Sequence, residues 1–435
     1  MKKNELYEVT CIDDTNLAAG VVKVEGRAVF VPKLLPGEKA EIRIVKVLKK
    51  YAFGRIEHLI QASPDRIEPL CAYAKTCGGC QLQHLRYPAQ LAWKQRHIEA
   101  LFPEQNVQPI LAAPSFSYYR NKAQFPVQIR NRQVIMGFYR SHSNDIVPCD
   151  QCMIQSEEIN AIFQVLQERL TPEMAEGLRH ILIRTTRTHQ AQIVFIGEHK
   201  NHWKPLIRTL IRRFPAIQSI VFNRNTRRDN VILGSEYEVL YGSDSVIDQC
   251  LGNQVKLHFK SFYQVNPEQM DVLYQTAIRM AKLEPTMDVA ELYAGTGTIG
   301  MAVSSHVHHV TGVEIVPEAV ENARQNCSLN HIENCTYVCE DASVFAKRMA
   351  AKKKRVDAVF VDPPRKGMTA QGIRDIVTLQ PEQIVYISCN PQTLARDIKL
   401  YEQEGYECKV IQPVDMFPMT LHVETVVLMS RVDGK

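Results

Sequence analysis

Residues 287–300 read MDVAELYAGTGTIG, an apolar run that passes into a glycine-rich turn and then into a helical pattern. A strand that ends in such a turn and opens a helix is the first unit of a parallel sheet covered by helices. Gly295, Gly297 and Gly300 fit G-x-G-x-x-G literally, a pattern that by itself does not choose among nucleotide-like cofactors. Outward from this stretch, HVTGVEI, AVFVDPP, QIVYISC and HVETVVLM follow with helical patterns between them. Most are near-continuous apolar runs, as expected of strands buried on both faces. The chain after Lys260 is therefore expected to be an α/β domain, doubly wound and Rossmann-like, with ligands beyond the carboxyl ends of its strands.

The amino-terminal pattern is different. From Tyr7 to His58, VVKVEGRAVFVP, a turn at Leu35 to Gly37, and AEIRIVKVLKKYAFGRI predict an all-β, OB-like barrel of about five strands. Lys46, Lys49, Lys50 and Arg55 lie beside Tyr51 and Phe53, the mixture of cations and stacking rings that single-stranded nucleic acid favours. A solvated strand face is the alternative reading. ASPDRIEP, residues 62–69, predicts a linker, and PAQLAWKQRHIEALF predicts a helix over 88–102. Tyr118 to Gly252 mixes helical and strand patterns irregularly, including HILIRTT, AQIVFIG and SIVFN. That mixture predicts a central α+β domain, made basic by Arg184, Arg187, Arg224, Arg227 and Arg228.

At 435 residues, 45% hydrophobic and 23% charged, the chain suits about three globular domains. It has no apolar run near the ~20 residues of a membrane helix. The start, MKKNELYEVT, lacks the apolar core of a signal peptide, so a cytoplasmic protein is expected. In that setting the twelve cysteines read as ligands or nucleophiles rather than disulfides. With a net charge of only +5, nucleic-acid binding has to come from local concentrations of basic residues.

Candidate site residues cluster at the ends of the α/β strands. Glu314, ending VTGVEI, sits where a carboxylate accepts ribose hydroxyls. Glu340 and Asp341 follow YVC within reach of an adenine edge, and Thr298 opens the helix after the glycine turn. Two cofactors compete, a nicotinamide dinucleotide and S-adenosylmethionine. The turn Asp362-Pro363-Pro364-Arg365 is typical of methyltransferases acting on nucleobases, whereas a mere helix cap and strand end is the bland reading.

Cys389 precedes Asn390-Pro391, an N-cap followed by proline at the first helical position. A helix amino terminus favours thiolate, so Cys389 is expected to have a lowered pKa. A thiolate suits the methylation of carbon 5 of uracil, because addition at carbon 6 places enolate charge on the weakly nucleophilic carbon 5. The later removal of the carbon-5 proton needs a base. Glu424, an acid in the apolar strand HVETVVLM with His422 on its face, is the candidate. Separately, Cys71, Cys77 and Cys80 form a tight C-x5-C-x2-C run, and Cys149 and Cys152 could each supply a fourth ligand. Spacing leaves zinc and a four-iron cluster equally open.

Taken together, FYQVNP, ELYAGTG, VEIV, DPPR, SCNP, HVETV and CAYAKTCGGC resemble the bacterial RNA uracil-5-methyltransferases. The likeness is strongest to the 23S rRNA branch with an iron-sulfur cluster, and it covers nearly the whole chain. The resemblance implies a TRAM-type barrel and S-adenosylmethionine held by Gln264, Tyr293, Glu314 and Asp362, with Thr298 and Asp341 as further contacts. It also implies Cys389 as nucleophile, Glu424 as base, and a [4Fe-4S] cluster on Cys71, Cys77, Cys80 and Cys152. Cys152 is preferred over Cys149 because the family's Gln-Cys pair aligns with Gln151 and Cys152. It implies three domains: 1–62 the barrel, 63–89 with 113–252 the cluster-bearing domain, and 90–112 with 253–435 the catalytic domain. The expected partner is 23S rRNA, with no membrane, and the expected state is a monomer. A tRNA uracil-5-methyltransferase, a nucleotide-dependent oxidoreductase and a non-catalytic RNA-binding factor are the competing functions. The bacterial tRNA branch typically lacks the barrel and the cysteine run.

Overall fold

Alternation in KAEIRIVKV, the strand Lys39–Val47, buries Ala40, Ile42 and Ile44 completely while their neighbours face outward, the period-two signature of a sheet with one wet face. The computed structural model describes residues 1–432. In it the chain forms two compact units, Met1–His97 with Tyr139–Asn144 and Phe417–Leu421 in one, and the rest of the described chain in the other.

In the first unit, six strands run in the order Leu6–Thr10, Lys39–Val47, Tyr51–Gln61, Arg27–Pro32, Ala19–Val24, Asp13–Asp14. The sixth, Asp13–Asp14, is too short to leave a periodic signal. Val22, Val29, Val31 and Ala52 complete the barrel core. The turn at Leu35 to Gly37 forms as expected, closed by the Leu35 amide donating to Glu38 Oε2 at 2.9 Å.

The segment at 62–69 is tied down more firmly than a linker. Glu38 is fully buried, and it accepts from Arg66 Nε at 2.5 Å and from the Ser63 amide at 3.0 Å. Burial pushes the Glu38 carboxyl up, but the bonds from Arg66, Ser63 and Leu35 outweigh it and hold the group below the usual carboxylate range. A depressed carboxyl pKa stabilises the fold above the unfolded value, and that contribution is lost as pH falls through the folded value. Arg66→Ala, which strands a buried carboxylate, should cost about 3 kcal/mol and steepen acid unfolding of the barrel. Hydrogen exchange along Lys39–Val47 at neutral and acid pH would read it.

In the second unit, the central part is a seven-stranded sheet ordered Tyr237–Gly242, Ile217–Arg224, Ala191–Gly197, Leu178–Thr185, Lys122–Arg130, Gln133–Tyr139, Ile146–Pro148. HILIRTT, AQIVFIG and SIVFN are its inner strands, with Ile183, Ile193 and Val221 fully buried. The helices Glu157–Arg169 and Lys204–Arg213 accompany it, making the α+β mixture the pattern predicted.

The carboxyl-terminal part is the expected doubly wound sheet. Its order is Cys335–Cys339, His309–Glu314, Asp288–Leu292, Ala358–Val361, Gln383–Ser388, Glu424–Arg431, Tyr406–Val414. Six strands run in one direction, and only Glu424–Arg431, between Gln383–Ser388 and Tyr406–Val414, runs antiparallel to them. Cys335–Cys339 and Tyr406–Val414 were not marked by continuous apolar runs, because edge strands carry outward polar residues. The helix expected over 88–102 is Tyr87–Leu101. Among the described residues, no helix is long and apolar enough to cross a membrane.

Candidate active site

Strand order reverses between Asp288–Leu292 and Ala358–Val361, and a crevice at such a switch point is where doubly wound sheets bind ligands. Tyr293, Glu314, Asp341, Asp362 and Cys389 all lie just past, or at, the carboxyl ends of parallel strands. Glu424 begins the antiparallel strand, so its start shares that same edge. Ser388 pairs with Thr425, and continuing the register by one residue sets Cys389 opposite Glu424. Sequence-distant groups are thereby brought into one row.

The glycine turn is a cradle with close walls. Gly297 adopts φ +77°, and a Cβ there would collide with the Tyr337 hydroxyl; a Cβ on Gly300 would collide with Glu291. Tyr293 is held at φ +63°, a left-handed conformation that costs a non-glycine residue on the order of 1 kcal/mol. Glu314 accepts from the amides of Gly295 (3.0 Å), Ile315 (2.8 Å) and Val316 (3.0 Å), so it braces the turn and keeps about one of its four lone-pair positions for a ligand hydroxyl. Asp341 caps the helix Ala342–Ala351 through Oδ1 alone, accepting from Ser343 and Val344, which leaves Oδ2 as an acceptor. Thr298 begins the helix Thr298–Ser304 and is hydrogen-bonded to the buried Tyr274, which also lies beside Asp362.

Gln264 is nearly buried on the segment before helix Pro267–Ala281. That segment is pinned on both sides. Arg184 donates to the carbonyls of His258 (3.1 Å) and Ser261 (2.8 Å), and the Asn121 amide donates to the Val265 carbonyl at 2.8 Å. Asn266 caps the helix and donates to the Met416 carbonyl at 3.0 Å.

The electrostatics of Cys389 correct the sequence expectation. Asn390 does cap the helix Pro391–Gln403, with Pro391 in first position. Yet burial, reinforced by the neighbouring Glu424 and Asp362 carboxyls, pushes the Cys389 thiol up to about 11, with Arg365 the opposing influence. The helix terminus is outweighed by burial and by two acids, none of which local sequence could show. Burial raises Asp362 to about 7, and burial together with Asp362 raises Glu424 to about 8. Arg365 is fixed near the thiol because its carbonyl accepts from Asn390 Nδ2 at 3.0 Å and Thr393 Oγ1 at 3.3 Å.

Two residues of this region escaped the sequence reading, Glu291 and Tyr274. Glu291 is buried, pushed up to about 8 by burial, and bonded to the Gly300 amide and the Tyr337 hydroxyl. An acid inside the apolar run MDVAELYA was the available signal. Tyr274 gave none, since only tertiary packing sets it beside Asp362, and Arg365, read as part of the Asp-Pro-Pro-Arg turn, is set near Cys389 in the same way.

The basic residues divide. In the barrel, Lys46, Lys49, Lys50 and Arg55 are exposed around a cluster of Phe30, Tyr51 and Phe53 whose ring centroids lie 5.5–6.1 Å apart. Phe30 joins through its parallel pairing with Phe53. In the central domain, Arg187 pairs with Asp271, Arg224 with Glu236 and Arg227 with Asp229, so most of that positive charge is internally compensated.

Cys71, Cys77 and Cys80 share one loop segment, where Cys77 lies beside Cys71 and accepts from the Gly79 amide at 3.4 Å. Sulfur donors with an amide hydrogen bond are the ligand chemistry of an iron-sulfur centre. Among the described residues, however, no three His, Cys, Asp or Glu side chains converge to hold a metal ion. Cys149 is buried and Cys152 half-buried.

A family model described as tRNA (Uracil-5-)-methyltransferase matches residues 86–432, four-fifths of the chain. The chain belongs to that family. A TRAM domain model matches residues 2–56, which is the barrel. An uncharacterized RNA methyltransferase of Halalkalibacterium halodurans is 41% identical over 448 residues, covering 99% of this chain and 98% of its own. One of Bacillus cereus is 40% identical over 452 residues, covering 100% and 98%. Among solved structures, the Pyrococcus abyssi tRNA (uracil-54, C5)-methyltransferase in complex with S-adenosyl-L-homocysteine is similar with a TM-score of 0.75 and 25% identity, covering 97% of this chain and 99% of its own. The protein is thus an RNA (uracil-5-)-methyltransferase that uses S-adenosylmethionine, and the oxidoreductase and non-catalytic readings fall away.

Proposed function

We propose that this methyltransferase modifies carbon 5 of a uridine in 23S rRNA through a covalent adduct on Cys389 that Glu424 resolves. The observation that carries the proposal is the convergence of Cys389, Glu424 and Asp362 on one sheet edge beside the glycine turn. Cys389 Sγ adds to carbon 6 of the uracil, and the electron pair of the 5,6 double bond moves toward carbon 5 and its carbonyl. Bound S-adenosylmethionine supplies the electrophilic methyl group that carbon 5 takes up. Glu424 then accepts the carbon-5 proton, the double bond reforms, and the Cys389 sulfur leaves with its electron pair. Gln264, Tyr293, Thr298, Glu314, Asp341 and Asp362 line the cofactor's place, Glu314 through its remaining lone pair and Asp341 through Oδ2.

Glu424 can act as a base only when ionised, and its pKa is about 8. Breakdown of the methylated adduct, the step in which Glu424 accepts the proton, should therefore speed up with pH and level off above about 8. A rate that is flat through that range would remove Glu424 from the role.

The barrel 1–62, with its exposed cations around Phe30, Tyr51 and Phe53, is read as an RNA-docking surface. The segments 63–89 and 113–252 are read as a central domain, and 90–112 with 253–435 as the catalytic one. By the resemblance to the iron-sulfur branch, Cys71, Cys77, Cys80 and Cys152 would hold a [4Fe-4S] cluster. Cys152 is favoured over Cys149 because the family's Gln-Cys pair aligns with Gln151 and Cys152, and zinc is the alternative metal. Iron and sulfide analysis of anaerobically purified protein, against zinc, tests this. A cytoplasmic monomer is the setting this reading carries.

A tRNA substrate is the second reading, favoured by the likeness to the P. abyssi tRNA (uracil-54, C5)-methyltransferase over nearly the whole chain. Mapping 5-methyluridine in a strain lacking this protein separates the two. Loss from 23S rRNA with tRNA unchanged is expected, and loss from tRNA alone overturns the rRNA assignment.

A further inference from the structure

One buried carboxylate ties together the strand that ends in Cys389, the helix that follows it and the loop after Asp362. Asp397, on the buried face of the helix Pro391–Gln403, is fully buried and uses both of its oxygens. Its Oδ2 accepts from the hydroxyl of Tyr386, on the strand Gln383–Ser388, at 2.7 Å and from the Met368 amide at 2.8 Å. Its Oδ1 accepts from Arg396 Nε at 2.8 Å and Nη2 at 2.6 Å. Arg396 Nη2 in turn donates to the carbonyls of Lys366 (3.2 Å) and Met368 (2.8 Å). The Arg396–Asp397 pair therefore grips the loop by one amide and two carbonyls.

The contact leaves no slack. Gly367 adopts φ +70°, and a Cβ there would stand 2.6 Å from Asp397 Oδ2 and 2.8 Å from Arg396 Nη2. The bonds from Asn390 and Thr393 to the Arg365 carbonyl extend the grip to Arg365 itself. A buried carboxylate is stable only when its oxygens are bonded, and here the bonds go to one loop and to the arginine that holds that loop. The same loop carries Arg365, the positive charge that opposes burial and the two acids around the Cys389 thiol.

We propose that Arg396 and Asp397 are positioning residues, which lock the loop 365–368 to the strand and helix flanking Cys389 and so hold the Arg365 guanidinium beside the sulfur. The role rests on the reading of Cys389 as the nucleophile. An arginine side chain is long and rich in rotamers, so its charge acts at a set place only when its backbone is fixed. The attacking species is the thiolate, and a thiolate formed between two carboxyls depends on a cation at short range. Asp362 itself is insulated from the loop by the stiff pair Pro363 and Pro364, so the grip acts on the sulfur's surroundings more than on the cofactor's place.

The test follows alkylation of Cys389 by iodoacetamide in the full-length protein, quantified on the Cys389 peptide by mass spectrometry across pH. Arg396→Gln cuts the grip at a half-exposed side chain, and Gly367→Ala pushes the loop away with Arg396 and Asp397 intact. Both should slow alkylation about threefold or more near pH ~9 and move its pH profile upward, with S-adenosylmethionine affinity by calorimetry within about twofold of wild type. Arg365→Gln should slow it similarly, and adding Arg396→Gln to Arg365→Gln should slow it no further, because the pair acts through Arg365. Arg396→Lys, which keeps the ion pair, should recover part of the rate. Unchanged alkylation in both loop variants would overturn the proposal, as would a further drop in the double variant as large as that from Arg396→Gln alone. So would a parallel loss of cofactor affinity, which a general loosening of the domain gives. Because no RNA enters this readout, unchanged alkylation in the loop variants beside an inactive Cys389→Ala overturns the positioning role alone, whereas a Cys389→Ala that keeps turnover overturns the nucleophile reading.

Discussion

Cys389→Ala should abolish methyl transfer, lowering turnover by about 10⁴-fold or more, because without the sulfur adduct carbon 5 has no enolate charge with which to take the methyl group. Cofactor affinity should stay within about twofold. Cys389 lies at the end of the strand Gln383–Ser388, while the residues proposed to line the cofactor's place, Tyr293, Glu314, Asp341 and Asp362, follow or end other strands. The thiol is half-buried, so truncation opens little space and the fold should be retained. Paired calorimetry and methyl incorporation on one preparation would show the split. Retained turnover would remove Cys389 from the chemistry, and a joint loss of binding and turnover would mean that the residue holds the pocket together.

Glu424→Gln should cost about 10³-fold in overall turnover and cause a Cys389–RNA adduct to accumulate, since the amide keeps the shape but cannot accept the carbon-5 proton. The electrostatics make this variant informative. Burial pushes the Cys389 thiol up to about 11 and the Glu424 carboxyl adds to it, so replacing Glu424 should lower that pKa and leave thiol addition unimpaired or faster. Neutralising a buried acid that Asp362 already disfavours should also not destabilise the protein. The expected pattern is faster alkylation of Cys389 above pH about 8, where wild-type Glu424 is ionised, a denaturant-stable RNA adduct and little methylated product. Slower alkylation, or no adduct, would assign Glu424 to shaping the pocket rather than to proton removal.

How much of this was legible in the sequence depended on whether a feature is local. The strand-turn-helix at 287–300 fixed the fold class, since apolar continuity, glycines and helical spacing all lie within fourteen consecutive residues. The barrel was legible for the same reason, apart from the two-residue strand Asp13–Asp14. The candidate site was legible as a set of strand ends, and the sheet order turned that set into a row. The state of Cys389 was not legible: the helix start argued for a lowered pKa, whereas Glu424 and Asp362, distant in sequence, raise it. The central arginines misled in a related way, because Asp271 and Glu236 supply counter-charges through folding, whereas Asp229 stands only two residues from Arg227. Tyr274 and Glu291 were hidden because a buried tyrosine or an acid in a strand has no meaning until its neighbours are known.

The central claim is the covalent adduct between Cys389 and carbon 6 of a uridine. Its most direct test is incubation of the active enzyme with S-adenosylmethionine and an rRNA fragment carrying 5-fluorouridine, followed by denaturing electrophoresis and peptide mass spectrometry. Fluorine cannot leave carbon 5 as a proton, so methyl transfer should stall with the RNA attached, and the modified peptide should be the one containing Cys389. An enzyme that methylates ordinary RNA yet forms no stable complex with the fluorinated substrate, or forms one through a different cysteine, would contradict the account.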